Sequence, residues 1–269
     1  MPEGDTIFQT AAALRPLLVG QQILRARSGR TPGPQLQRVV GSHVTAVEPL
    51  GKHMLIHFDN GLVLHTHLRM GGTWHRYAPG EPWRLAAWKA RVVLEVAEHV
   101  VVCFNAPIAE LMPARAAPLH PALASLGPDL LSADFSADEA FSRLRSRSDA
   151  EIAEALLDQR VMAGIGNVFK SETLFIERVN PWTHVSDLSD DQLRSLVTTA
   201  HRLLNENTDS GRPHRVTTRG DPHVRGSSYV YGRANQPCTN CGAPIHVRRQ
   251  GALNRSTYWC AVCQPSHPG

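Results

Sequence analysis

Apolar residues change their spacing twice along this chain, and the changes divide it into three regions. Ile7, Ala11, Leu14 and Leu18 recur at helical spacing behind Asp5 and Thr6, either of which can cap a helix. Beyond them the period shortens. Val44–Glu48, Met54–Phe58, Leu62–His67, Arg91–Val96 and Val100–Phe104 are short, rich in β-branched residues and separated by turn signals such as Asp59-Asn60-Gly61. They predict strands, and residues 1–115 together predict a β-sandwich domain with an N-terminal helix. Pro113, Pro118, Pro121 and Pro128 then mark a linker. Helical spacing returns in Ala137–Arg145, Asp149–Gln159, Asn167–Arg178 and Ser189–Asn205, within a helical domain over 130–225. Residues 208–228, rich in Gly, Pro, Arg, Ser and Thr, read as a flexible loop, and 229–269 form a small C-terminal module. The fold class expected is α+β multidomain.

Composition adds limits. Of 269 residues 42% are hydrophobic, enough for real cores. The net charge of +4, with a pI near 9.0, is compatible with a polyanion partner without distinguishing one. The start Met1-Pro2-Glu3-Gly4-Asp5 lacks the basic and apolar regions of a signal peptide. No run of ~18 apolar residues suggests a membrane span. The expectation is a cytoplasmic, monomeric protein with no membrane partner.

The five cysteines are the first strong chemical signal. Cys238 and Cys241 form one Cys-x2-Cys pair, Cys260 and Cys263 another, with eighteen residues between the pairs. Each pair suits a tight knuckle, so four thiolates can reach one tetrahedral zinc ion. Ile245, Val247, Tyr258 and Trp259 suit a β-hairpin between the knuckles. A module of this size buries too little surface to hold itself together, and a closed four-thiolate site is structural rather than catalytic. Cys103, alone in an apolar run, reads as a small buried hydrophobe.

The second signal is the N-terminus. Removal of Met1 exposes Pro2 as a secondary amine. An α-amino group titrates near 7.7–8.0, so roughly a tenth of it is neutral at pH 7, against about one in a few thousand for a lysine. Such an amine can attack an aldehyde-level carbon, and Glu3 beside it could shuttle a proton. Taken alone, Pro2 and Glu3 read as an ordinary exposed chain start.

Context changes their meaning. Met1-Pro2-Glu3-Gly4, Gly51-Lys52-His53, Gly164-Ile165-Gly166-Asn167 and the four-cysteine module occur in an order that resembles the Fpg/Nei family of base-excision DNA glycosylases. The resemblance covers essentially the whole chain. The Met-Pro-Glu-Gly-Asp-Thr start and Tyr258-Trp259-Cys260 are most similar to the endonuclease VIII branch. It implies an N-terminal β-sandwich with its helix, a helix–two-turns–helix domain and a C-terminal zinc-finger β-hairpin. It implies damaged DNA, double- or single-stranded, as partner, and zinc as the one structural ion. Pro2 would form a Schiff base with C1′ of the damaged nucleotide, Glu3 would donate a proton, and Lys52 would assist β-elimination and contact phosphate. Asn167 would bind DNA from the turn, where a helix N-terminus also favours phosphate. Lys170 would contact phosphate and Glu172 would orient the site. Arg255, in Leu253-Asn254-Arg255-Ser256, matches the zinc-finger arginine that grips phosphates around the lesion.

Two positions depart from that pattern. Where the endonuclease VIII branch carries Gln-Leu-Tyr to fill the gap left by an everted base, this chain reads Arg69-Met70-Gly71. Met70 is then the apolar wedge and Arg69 the void filler. The arginine that precedes Gly-Pro-Asp in the family is replaced by Ser125, ahead of Leu126-Gly127-Pro128-Asp129, with Arg115 as a candidate substitute. His53, His57, His65 and His67 fall on neighbouring strands and read as core or DNA-facing residues rather than a second metal site. The activity expected is excision of oxidised pyrimidines and strand nicking by β,δ-elimination. A non-catalytic zinc-finger DNA-binding protein and an Fpg-like 8-oxoguanine glycosylase are the alternatives.

Overall fold

In the computed structural model, residues 2–29, 33–208, 215–218, 227–252 and 254–266 are described. Most of the loop expected over 208–228 lies outside them, as does Leu253. The chain divides into two compact units, 1–125 and 126–269.

The first unit opens with helix α1 (Gly4–Leu18), whose Ile7, Ala11, Leu14, Leu17 and Leu18 are buried in one hydrophobic core. Two four-stranded antiparallel sheets follow. One has the order β2 (Val44–Leu50), β3 (His53–Phe58), β4 (Leu62–His67), β8 (Ile108–Pro113). The other has the order β1 (Arg25–Arg27), β6 (Ala90–Glu95), β7 (Val100–Phe104), β5 (Thr73–Tyr77). Successive side chains on a strand point to opposite faces, and the cores are sorted accordingly. Val101 and Cys103 of β7 join Val92 and Leu94 of β6 in the main core, which they share with α1 and the first sheet. Their neighbours Val100, Val102, Phe104 and Val93 pack in a second cluster with Tyr77, Trp83 and Leu85. Cys103 is wholly buried and free, as its apolar surroundings in the sequence suggest.

The same alternation sets the first sheet. Met54, Ile56 and Phe58 of β3 and Leu62 and Leu64 of β4 enter the main core. The intervening positions, His53, His57, His65, His67 and, on β8, Glu110, therefore share the opposite face.

The second unit contains the short α2's successor segments: α3 (Ala137–Arg145), α4 (Ile152–Leu157), α5 (Asn167–Ile176) and α6 (Asp190–Asn205), α2 itself (Pro121–Ala124) closing the first unit. Ser189 caps α6 through a capping box with Gln192. The C-terminal strands β9 (Ile245–Gln250) and β10 (Arg255–Cys260) pair antiparallel, as the sequence expectation of a hairpin requires. This hairpin belongs to the same compact unit as the helices. Buried Gln264 explains part of that: its amide donates to Val179 O at 2.8 Å, its carbonyl accepts from Asn180 Nδ2 at 2.8 Å, and its side-chain oxygen accepts from Cys260 N at 3.1 Å.

Candidate active site and metal centre

Segments ahead of a first helix are usually loose, but Glu3 is built into the fold. Glu3 is the N-cap of α1, fully buried, and forms a reciprocal capping box with Thr6. Its carboxylate thus lies at the helix end where the backbone dipole favours negative charge. Arg15 Nε donates to Val47 O at 2.8 Å and fastens the helix to β2. Half-buried Pro2 immediately precedes this cap.

Lys52 occupies the two-residue hairpin loop between β2 and β3, closed by the Leu50–His53 pair. Gly51, at φ +55°, supplies the left-handed first position that such a loop demands. The Lys52 ammonium reaches two of the histidines electrostatically. Burial first, then the neighbouring His67, His65, His120 and Lys52, lowers the His53 pKa to about 3. Burial, followed by Lys52, His65 and Arg69, lowers that of His67 to about 4. Both imidazoles are therefore neutral at pH 7.

The segment after β4 carries the two residues assigned to the void. Arg69 adopts φ +45°, a conformation that costs a non-glycine residue energy, and its N–H donates to His67 Nδ1 at 3.1 Å. Met70 is 66% exposed, an unusual position for a large apolar side chain and suited to a wedge. Ser125 and Arg115 are both exposed.

In the second unit, the turn ahead of α5 is stapled by Gln159, which the sequence reading did not single out. Its Nε2 donates to Leu157 O at 2.8 Å and Ile165 O at 3.0 Å, and its Oε1 accepts from Gly164 N at 3.1 Å. Gly164 takes φ +107°, which a side chain would oppose. Gly166 is the N-cap and Asn167 the first residue of α5. Asn167 is 6% exposed, and its Oδ1 is buried with no hydrogen-bond partner among the described residues.

Glu172 on α5 is fully buried and gathers four donors. One oxygen accepts from Val230 N at 2.9 Å and Tyr231 N at 2.8 Å, the other from Tyr229 N at 2.7 Å and the Thr217 hydroxyl. It holds the chain that leads into the cysteine module against α5.

Lys170 on α5 is buried within the second unit. It is 1% exposed, and its Nζ donates to Thr257 Oγ1 at 2.7 Å and to Ser256 O at 3.3 Å. Thr257 in turn donates to Gln250 Oε1 at 2.7 Å. The ammonium joins α5 to β10, a structural tie that stands beside the phosphate contact expected of Lys170. Lys170→Met should cost about 1–3 kcal/mol in denaturant unfolding, since it strands buried acceptors. The salt dependence of DNA binding should lose about one unit of slope if Lys170 also contacts phosphate, and stay unchanged if the tie is its whole role.

The four cysteine sulfurs lie within 4.8 Å of one another. Cys238 and Cys263 Sγ are 3.8 Å apart, Cys241 and Cys260 Sγ 3.5 Å. Zinc–sulfur bonds of about 2.3 Å in a tetrahedron require edges near 3.8 Å, so the set fits such an ion. Burial, then the adjacent Cys241, Cys238 and Cys260 thiols, pushes the Cys263 thiol well above its ordinary value. A divalent cation relieves that crowding. Arg255, first residue of β10, pairs with Gln250 beside the hairpin tip. With Gln159 and Arg160 of the turn it lines a cavity of about 600 Å³.

Comparison with known proteins matches this architecture. Residues 1–107 match the formamidopyrimidine-DNA glycosylase N-terminal domain, and residues 126–216 the formamidopyrimidine-DNA glycosylase H2TH domain. The chain is 41% identical to a probable endonuclease 8 2 of Streptomyces coelicolor, over 98% of this chain and 94% of that one. It is 40% identical to the DNA-(apurinic or apyrimidinic site) lyase Nei2 of Mycolicibacterium smegmatis, over 98% and 99% of the two chains. Among solved structures, the MutM (Fpg) protein of Thermus thermophilus superposes with a TM-score of 0.81 at 27% identity, over 99% of this chain and all of that one. Among the described residues no helix is long and apolar enough to cross a membrane. With its sandwich, its stapled turn and its four-cysteine hairpin, the chain belongs to the Fpg/Nei family of base-excision DNA glycosylases and abasic-site lyases.

Proposed function

We propose that this protein is a bifunctional DNA glycosylase and abasic-site lyase that removes oxidised pyrimidines and nicks the strand through a Pro2 Schiff base. The observation that carries the reading is the fixed chain start. A nucleophile must be held in a narrow range of positions, and residues on rigid elements achieve this better than loose ends. Pro2 leads directly into a buried capping box on a helix packed in the core.

The chemistry follows from the residues. The Pro2 nitrogen attacks C1′ as the damaged base leaves, and the secondary amine becomes an iminium. Glu3 supplies a proton that helps the sugar ring open. The iminium acidifies the C2′ protons, so the 3′ phosphate departs, and a second elimination releases the 5′ phosphate. Lys52, half-buried in its hairpin loop, shuttles protons and contacts phosphate. Arg69 and Met70 fill the space left by the everted nucleotide, whose extrusion costs a few kcal/mol and less for a poorly stacked base. Asn167 and Arg255 hold backbone phosphate. Zinc held by Cys238, Cys241, Cys260 and Cys263 keeps the Arg255 hairpin folded and takes no part in bond breaking. The working form is a monomer.

The preference for pyrimidines rests on the likeness to proteins named endonuclease 8 2, at 38–41% identity, above the 30–31% shared with those named endonuclease 8 and the 28–29% shared with those named formamidopyrimidine-DNA glycosylase. On defined duplexes, thymine glycol and dihydrouracil should be excised faster than 8-oxoguanine opposite cytosine, and abasic sites should be cut. The reverse order would reassign the chain to 8-oxoguanine repair. Binding with no incision of any lesion would favour a non-catalytic DNA-binding protein.

A further inference from the structure

The histidine face of the first sheet carries a second cluster that the proposed chemistry does not use. His65 of β4 and Glu110 of β8 are directly paired across the strands. His120, which follows β8 in the same unit, folds back onto the same carboxylate. One oxygen, Glu110 Oε2, lies 3.3 Å from His65 Nδ1 and 3.1 Å from His120 Nε2. The three ligand atoms lie within 4.8 Å of one another.

Those separations suit two arrangements, hydrogen bonds to a shared carboxylate and a shared ion. A charge-assisted N–H···O bond to a carboxylate is usually about 2.7–2.9 Å long. Both contacts are longer than that, at the far end of the hydrogen-bond range. Zinc bonds of about 2.0–2.1 Å to nitrogen and oxygen, set at tetrahedral angles, require ligand atoms about 3.3–3.4 Å apart. The observed contacts lie near that spacing.

The surroundings agree. His65 is completely buried, and its other nitrogen, Nε2, is 2.7 Å from His53 Nδ1. A metal-bound imidazole typically passes its remaining N–H to such a partner, which fixes its tautomer and orientation. His53 would accept that proton's hydrogen bond at Nδ1 and keep its own hydrogen on Nε2. On the other side the Glu110 side chain is 48% exposed and that of His120 25%. The cluster thus has a rigid, buried wall and an open mouth through which an ion and a water ligand can enter.

We propose that His65 Nδ1, the Glu110 carboxylate and His120 Nε2 form a second metal site, separate from the cysteines, for a borderline divalent transition cation such as zinc. Two imidazoles and one carboxylate are a ligand set that suits zinc over calcium or magnesium. Three protein ligands leave a fourth position for water, in contrast to the closed thiolate set. The site goes beyond the expectation of one structural ion, because Glu110 and His120 complete it from outside the four histidines weighed in the sequence.

The test is zinc stoichiometry of the full-length protein, dialysed against buffered micromolar free zinc. A thiol-specific mercurial separates cysteine-bound zinc from the remainder. Wild-type protein should hold two zinc ions per chain, one of them released by the mercurial. Glu110→Gln and His120→Ala, two partly exposed positions, should each hold one, all of it mercurial-released, with unchanged circular dichroism. A wild-type protein with one zinc, fully released by the mercurial, would overturn the proposal. So would two zinc ions retained in both variants. Should one variant misfold, the other together with the wild-type count decides.

Discussion

Protein that keeps Met1, or carries an uncleaved tag ahead of it, should bind lesion-containing DNA and leave its strands intact. The extension turns the Pro2 nitrogen into an amide, whose lone pair is delocalised and cannot form an iminium. Activity should fall by several orders of magnitude, because covalent catalysis is removed altogether rather than weakened. Folding should survive. Pro2 lies outside α1, and the helix is held by Ile7, Ala11 and Leu14 in the core and by Arg15 on β2. Borohydride should reduce the iminium and trap the processed protein on lesion DNA as a stable tertiary amine, and the cross-linked peptide should begin at Pro2. Circular dichroism and a DNA-binding assay on the extended protein separate lost chemistry from lost structure. Trapping on Lys52, or native nicking by the extended protein, would refute the proline mechanism.

Cys260→Ala should have an effect of similar size through stability. Cys260 is fully buried at the end of β10, and its sulfur is one of four converging ones. A structural zinc site contributes on the order of 10 kcal/mol to the folding of such a module, more than most whole domains can spare. Loss of zinc should therefore unfold the hairpin and abolish DNA binding. The damage should extend into the helices, since Gln264 bonds to Val179 and Asn180, and Lys170 to Thr257. Arg255→Ala is the companion experiment. It should leave zinc content and melting unchanged while weakening DNA binding by about 1.5–3 kcal/mol, roughly tenfold to a hundredfold. A zinc-free protein that bound and cut DNA normally would contradict both.

The strands that escaped notice were edges, although one edge strand, Val44–Leu50, was legible from its apolar alternation. Arg25–Arg27, Thr73–Tyr77 and Ile108–Pro113 each terminate a sheet. Edge strands carry charges and proline because one side lacks a pairing partner, and this dilutes the apolar signal. The helix expected over Asp149–Gln159 is shorter, Ile152–Leu157, because Asp158 and Gln159 serve the turn that follows. The cysteine set was readable because ligand spacing is local. The internal use of Lys170 was not, since Thr257 lies 87 residues away, and neither were the donors to Glu172, 45–59 residues downstream. Glu110 joins His65 only through strand pairing, and His120 only by the chain's return after β8, which no spacing in the chain announces.

The sorting of β3 and β4 has a further consequence for how the chain finds its structure. Nearly every side chain on these two strands is at least partly shielded, so hydrophobicity alone distinguishes their faces weakly. A slip of one residue would reverse both faces. It would drive His53, His57, His65 and His67 into the sandwich interior and turn Met54, Ile56, Leu62 and Leu64 outward. Stripping water from several imidazoles with no partners awaiting them is expensive, whereas the native pairing gives His53 to His65 and His65 to Glu110. The histidines thus guard the sheet against mispairing, a role they fulfil during assembly, before any lesion is met.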